Sequence, residues 1–353
     1  MNGRTPDLAR SRDAKGVDMI AFPFDLSTPS VDSVRRFAVP LLCASFLAAG
    51  CVSTCIDSAK NLAPQGKAIT AQIAAAVFAA DDEFQRAMDA EAFFHGLAGM
   101  EIPAGLLQTN AWIQAELTAR KQVIESLGDA YDAWGALASA NVTADAQTAF
   151  NSLSDAVNAY AKAIGREAVL TASEKDAFAK VGGWTASAIQ RSKVRKSSAL
   201  LRARLTAFRQ LLGDPLVRAQ QTTFKTQLAE NRSAAIAYLW GRQLLDPTPL
   251  LDQLGEEAGL KASKDAVKII ADRKDPALSR GLDRVLTVRQ ERKMAAIVRS
   301  YDASLKALDA LIAKHSKLEA GENVSPAELR QLAADLQLAC SPLAAGTGST
   351  KKP

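Results

Sequence analysis

Histidine is nearly absent from this chain: 353 residues hold two, His95 and His315. With no His-x-x-x-His and no Cys-x-x-Cys, the local ligand spacings of a zinc site are excluded. No Gly-x-Ser-x-Gly elbow, phosphate-cradling glycine loop or dinucleotide fingerprint is present, so no common catalytic motif and no cofactor is expected. Aromatic residues make up only 6%, and they are not interleaved with basic residues as in a base-stacking surface. Alternating Val/Ile/Thr runs bounded by Asn-Gly or Asp-Gly turns are missing, which excludes a β-rich fold. No apolar run reaches the roughly 20 residues that a membrane-spanning helix needs.

What is there is helix. The composition is 48% hydrophobic, dominated by Ala and Leu, which lose least on entering a helix. Ile69, Ile73, Val77, Phe84 and Met88 recur at spacings of four or seven and predict a helix from Pro64-Gln65-Gly66 to about Phe94. A second stripe is Ile113, Leu117, Ile124, Leu127, Tyr131, Trp134 and Leu137. Thr143 caps a third helix with Phe150, Leu153, Val157, Tyr160 and Ile164 inward and Gly165 at its end.

Thr171 and Glu174 have capping-box spacing for a long helix to Leu212. Gly213-Asp214-Pro215 stops it and starts the next, which carries Leu216, Phe224, Leu228, Ile236 and Leu239. Two short helices are expected between Leu250 and Ala271. Asp275-Pro276 then opens a helix with Val285, Val288, Met294, Ile297, Tyr301, Leu305, Leu308, Ile312 and His315 on its stripe. Ser325-Pro326-Ala327-Glu328 opens the last. The expected fold is all-α, an elongated antiparallel bundle of long helices over 67–340, with a tether over 51–66 and a disordered tail over 341–353.

The first 50 residues follow another logic. Arg35-Arg36 stand before the apolar run Phe37 to Leu47, and Ala48-Ala49-Gly50 precede Cys51. Charge, short apolar region and small residues are the order of a signal peptide. Leu47-Ala48-Ala49-Gly50-Cys51 resembles the lipobox of bacterial lipoproteins. The resemblance covers only this segment, and Ala48 departs from the commoner Leu. It implies cleavage between Gly50 and Cys51 and acylation of Cys51, with 1–50 as leader and signal peptide and either Met1 or Met19 as the start. It also implies an envelope address, facing the periplasm from the outer membrane because no Asp follows Cys51. The alternative is an ordinary secretory signal with an incidental cysteine. Export would leave Cys55 and Cys340 as a pair that an oxidising compartment could bridge, if the bundle brings its termini together; otherwise both are free thiols.

Charge is unevenly spread. Val52–Tyr160 holds 5 basic and 13 acidic residues, whereas 161–353 holds 32 basic and 20 acidic. The densest run, Arg191-Ser192-Lys193-Val194-Arg195-Lys196, continues through Arg202, Arg204 and Arg209. Arg191, Arg195, Lys196, Arg202 and Arg209 are anion-binding candidates for lipid head groups or glycan phosphates, with nucleic acid excluded by the exported address. The competing reading pairs them with the acidic N-terminal half. Asp81-Asp82-Glu83 reads as a solvated helix surface, and Trp184, Tyr238, Trp240 and Phe208 as core. The function that fits is a non-enzymatic scaffold or binding module, lipid-tethered, whose partner is an envelope protein or polyanion. The alternatives are a membrane-active, pore-former-like helical protein and an enzyme whose site is dispersed along the chain.

Overall fold

A computed structural model describes residues 31–139, 144–171, 187–242, 244–257, 259 and 276–344; for residues 31–54 it describes backbone alone. The chain divides into two compact units, Met1–Ala48 and Ala49–Pro353. In the first, the described part is helical backbone from Val31. The second is all-α, with no strand among the described residues. Glu174 of the expected capping box, Trp184, the expected helix near Ala271 and the tail beyond Ala344 lie outside the described residues.

Eight helices are described: α1 Val31–Ala98, α2 Ala104–Ala138, α3 Ala144–Ala163, α4 Ser187–Leu212, α5 Pro215–Gly241, α6 Thr248–Glu257, α7 Pro276–Ala320 and α8 Pro326–Ala344. Side-chain contacts set their directions. Lys67 reaches Asp132 at 2.5 Å and Asn110 reaches Glu91 at 3.1 Å, so α1 and α2 are antiparallel. Ser198 meets His315 and Arg209 meets Asp309, so α4 and α7 are antiparallel. The α4–α5 break does not reverse the chain: Tyr301 of α7 donates to the Leu212 carbonyl, and Tyr238 of α5 reaches the Leu97 carbonyl near the end of α1.

The core follows the predicted stripes on α1, α2 and α3, with Ile69, Leu127, Tyr131, Trp134, Phe150 and Tyr160 all buried, and Val123, outside the predicted stripe, joins them. Helix ends use the expected chemistry. Gly165 adopts φ +73° while Arg166 N–H donates to the Ala161 carbonyl, a left-handed stop. Asp214 accepts from Leu216 N–H at 2.8 Å ahead of Pro215. One stripe is corrected: Leu216 faces outward and Val217 is the buried residue.

The expected tether is also corrected. Residues 51–66 are helix, and from Cys55 onward Ala59, Leu62 and Ala63 belong to the core. Pro64 does not end α1 because it lies on the exposed face, as does Lys60. The Lys60 carbonyl, deprived of its N–H partner, is therefore on the solvent side. Two residues after Pro64, Gly66 allows α2 to come close: a Cβ there would sit 2.2 Å from Tyr131 Cε1. Gly66→Ala is expected to destabilise the fold by about 2 kcal/mol through this overlap. Gly96→Ala, on the same helix with nothing within 4 Å, is expected to be neutral or slightly stabilising. Chemical denaturation of both variants checks the contrast.

Candidate functional site

A cleft enters the second unit between α1, α2 and α7, beside the α4–α5 break. It holds a cavity of about 70 Å3 that opens to solvent at its mouth. The walls are mainly apolar: Ile73 and Phe84 from α1, Ile113 from α2, Val217 from α5, Met294 and Ile297 from α7. It exists because small residues meet here. Ala79 and Ala80 of α1 pack on a small apolar cluster of Met294, Ala296 and Ile297, set apart from the main core. Phe78 and Val298 beside it are more than two-fifths exposed.

One wall of the cleft is polar yet neutral overall. Glu116 and Arg120 are one turn apart on α2 and both buried. Arg120 donates to Glu116 Oε1 from Nε at 2.9 Å and from a terminal nitrogen at 2.5 Å, and Tyr160 O–H donates to the same oxygen at 2.7 Å. Burial works against the guanidinium charge, but the Glu116 carboxylate outweighs it and raises the Arg120 pKa. Burial and the same carboxylate push the Tyr160 hydroxyl well above the usual tyrosine range. The Arg120 guanidinium also lies 5.7 Å from the Tyr301 ring centroid. A buried pair of this kind costs desolvation on both ions and is sustained by its hydrogen bonds.

A second polar group lies deeper. Ser198 Oγ is 2.8 Å from His315 Nδ1, and Tyr131 Oη is 3.1 Å from His315 Nε2. A serine on one imidazole nitrogen is the geometry of an activated nucleophile. Here Ser198, His315 and Tyr131 are all fully buried, and none of the three lines the cleft. A neutral imidazole has one donor and one acceptor nitrogen, and the two hydroxyls match either tautomer. The arrangement satisfies buried groups across α2, α4 and α7, with the Trp134 ring tilted against the imidazole at 4.9 Å between centroids. His315, expected at the core edge, is at its centre. Burial, with the Arg202 charge adding to it, holds its pKa down to about 3.

The basic run of α4 is engaged in pairing. Arg202 makes a bidentate pair with Glu319 (2.9 and 2.9 Å) and Arg209 one with Asp309 (2.8 and 2.9 Å). Arg195 donates to the Glu319 carbonyl. Arg204 is buried, bonded to the Phe150 carbonyl at 3.1 Å and Ser154 Oγ at 2.7 Å. The carboxylate partners thus come from α7, within the basic half, and not from the acidic N-terminal half. Arg191 is half-buried beside Cys55, and Lys196 is exposed. Asp81 and Glu83 of the acidic cluster pair with Lys121 and Lys293.

Cys55 is a buried thiol whose pKa is raised by desolvation against the opposing charges of Arg195 and Arg191. Its candidate partner, Cys340, is on α8. Ser58, one turn after Cys55, contacts Asn323 and Val324 just before α8. Helix α8 then runs back along α7, with Glu328 on Lys314. Cys340 is 14 residues beyond Pro326, about 21 Å of helical rise. The backbone of Gly50 and Cys51 is helical; their side chains, and that of Cys340, lie outside the described residues.

Two sites were missed from sequence alone, the Glu116–Arg120–Tyr160 group and the cleft beside it. The i,i+4 pair lies among the inward residues Ile113 and Leu117, and a charge pair on an apolar stripe is the signal that marks it. Among the described residues no group of His, Cys, Asp or Glu could hold a metal ion, and no helix is long and apolar enough to cross a membrane. Comparison with family models, curated proteins and solved structures returns no match.

The buried histidine ties stability to pH. Unfolded, His315 protonates near pH 6.5; folded, it stays neutral to about 3. Below 6.5 the unfolded chain binds the extra proton, so stability falls as pH drops through the window from 6.5 to 3, by up to ~1.4 kcal/mol per pH unit. Above 6.5 this contribution is constant. Denaturant melts at pH 7, 6, 5 and 4 are expected to show the loss, and His315→Gln is expected to flatten it.

Proposed function

We propose that this chain is an envelope lipoprotein, tethered through acyl chains on Cys51, whose helical unit works as a non-enzymatic binding module. The observation that carries the reading is the order Arg35-Arg36, apolar Phe37 to Leu47, small Ala48-Ala49-Gly50, then Cys51. The start of the second compact unit at Ala49 supports it. Cutting at Gly50–Cys51 would separate the leader and leave that unit almost whole. Acyl chains contribute about 0.8 kcal/mol per buried CH2, and two or more give a durable anchor. The resemblance, with Val52 after the cysteine, favours the outer membrane.

A binding role fits the chemistry better than catalysis. The Ser198–His315 pair is sealed within the core, and the Glu116–Arg120 pair is already neutralised. Polyanion binding along α4 is the weaker form of the proposal, because an incoming phosphate would have to displace Glu319 from Arg202 and Asp309 from Arg209. The apolar interior of the cleft needs no such displacement.

Growth of producing cells with alkyne-tagged palmitate tests the anchor. Wild type is expected to carry the label and to begin at Cys51 after processing; Cys51→Ala is expected to be unlabelled. Equal labelling of both, or none of either, would overturn the lipoprotein reading.

A further inference from the structure

The cleft between α1 and α7 has a shape and lining that select a ligand. Its wall residues run from Ile73 to Phe84 on α1 and from Met294 to Ser304 on α7. At 1.5 Å per residue these spans are about 16 Å and 15 Å. The cleft therefore extends along both helices, over several turns. The small residues Ala76 and Ala80 open it from the α1 side. A long channel walled by aliphatic side chains suits an unbranched hydrocarbon chain, whose burial is driven by removing CH2 groups from water.

The polar groups decide where a head group would go. Inside, Glu116 and Arg120 cancel each other and Tyr160 completes their hydrogen bonding. A second charge there would be unpaired and costly. The Tyr301 hydroxyl is taken by the Leu212 carbonyl. Arg218 is different. It follows the lining residue Val217, reaches the Tyr301 hydroxyl, is more than half exposed, and meets Asp302 only at 3.8 Å. It is a cation at the rim with a loose partner, suited to a carboxylate.

We propose that the cleft binds a single-chain fatty acid, with its hydrocarbon chain between α1 and α7 and its carboxylate at Arg218. This names a ligand for the binding module and is independent of the lipid anchor. The chain's own acyl groups are not the occupant: Cys51 lies 22 residues of α1 before Ile73, about 33 Å along the helix.

The test uses the full-length Cys51→Ala chain, purified without detergent so that no other amphiphile competes. This keeps the result separate from acylation. Dodecanoate carrying a bromine on its chain is titrated while tryptophan fluorescence is followed in a chain that also carries Trp184→Phe and Trp240→Phe, so that the two remaining tryptophans are Trp112, which lines the cleft, and Trp134, which is sealed in the core. Saturable quenching is expected. Adding Trp112→Phe is expected to abolish the quenching while dansyl-undecanoate still binds. Ala80→Leu, which fills the channel from a half-buried position, is expected to weaken dansyl-undecanoate binding at least tenfold with an unchanged circular dichroism spectrum. Arg218→Gln is expected to weaken dodecanoate but not dodecanol as a displacing ligand.

Absence of saturable binding would overturn the proposal, as would quenching that survives Trp112→Phe. Should Ala80→Leu unfold the chain, the Trp112 and Arg218 arms decide on the intact fold. Vesicles of brominated phosphatidylcholine form the last arm. Quenching of Trp112 by vesicles as strong as by the free acid would assign the surface to a bilayer and overturn the free fatty acid.

Discussion

One close helix–helix approach in the core depends on an absent side chain. Gly66 of α1 lies against the Tyr131 ring of α2 with no room for a Cβ. The ring cannot swing aside, because its hydroxyl is committed to His315 of α7, and His315 is committed to Ser198 of α4. One contact and two hydrogen bonds thus set the register of four helices. Burying three polar side chains there costs desolvation, and only this alignment satisfies them all. An axial slip by one helical turn would place a larger residue against Tyr131 and leave the imidazole unpartnered. Leu-rich stripes alone would not distinguish such slips, since they repeat every turn.

The rest of the second unit falls into two parts around that contact. Beside it, α1, α2, α3, α4, α7 and α8 enclose a continuous core from Cys55 to Leu336. Farther along α1, a separate three-residue apolar cluster at Met294, Ala296 and Ile297, with Ala79 and Ala80 against it, carries the packing. There Phe93, Met100, Leu107 and Leu244 are each about half or more exposed. The Glu116–Arg120–Tyr160 group marks the boundary between the two, with the cleft next to it. Dense packing gives the reference frame, and thin packing leaves space for a ligand. This division follows from residue size: alanines on α1 face α7 where leucines and aromatics face inward elsewhere.

Much of this was legible in the sequence. The helical class, the inward stripes of α1, α2 and α3, and the stops and starts at Gly165 and Asp214-Pro215 follow from periodicity and capping chemistry. The start of the core was not, because Cys55, Ala59, Ala63 and Gly66 are small and register weakly as an apolar stripe. Pro64 reads as a break until its outward position is known. The salt-bridge partners of Arg202 and Arg209 were also hidden, since charge sums over half-chains carry no information on which helices touch. The directions of the later helices were hidden as well, since nothing in the periodicity says that α4 and α5 run in one direction across their break or that α8 turns back beside α7. The cleft could not be read at all, being a product of three helices and two alanines.

Hydrogen exchange on the native chain tests the central claim most directly, because it reports local opening free energies along each helix. Amides of α1 from Ala59 to Ile73, and those flanking Tyr131, Ser198 and His315, are predicted to exchange slowest, near the global unfolding limit. Amides of α1 from Ala80 to Ala98 and of α7 from Leu282 to Ile297 are predicted to exchange markedly faster. Uniform protection along α1 and α7, or slowest exchange at the Phe93 and Met294 end, would contradict a fold organised around Gly66 and Tyr131.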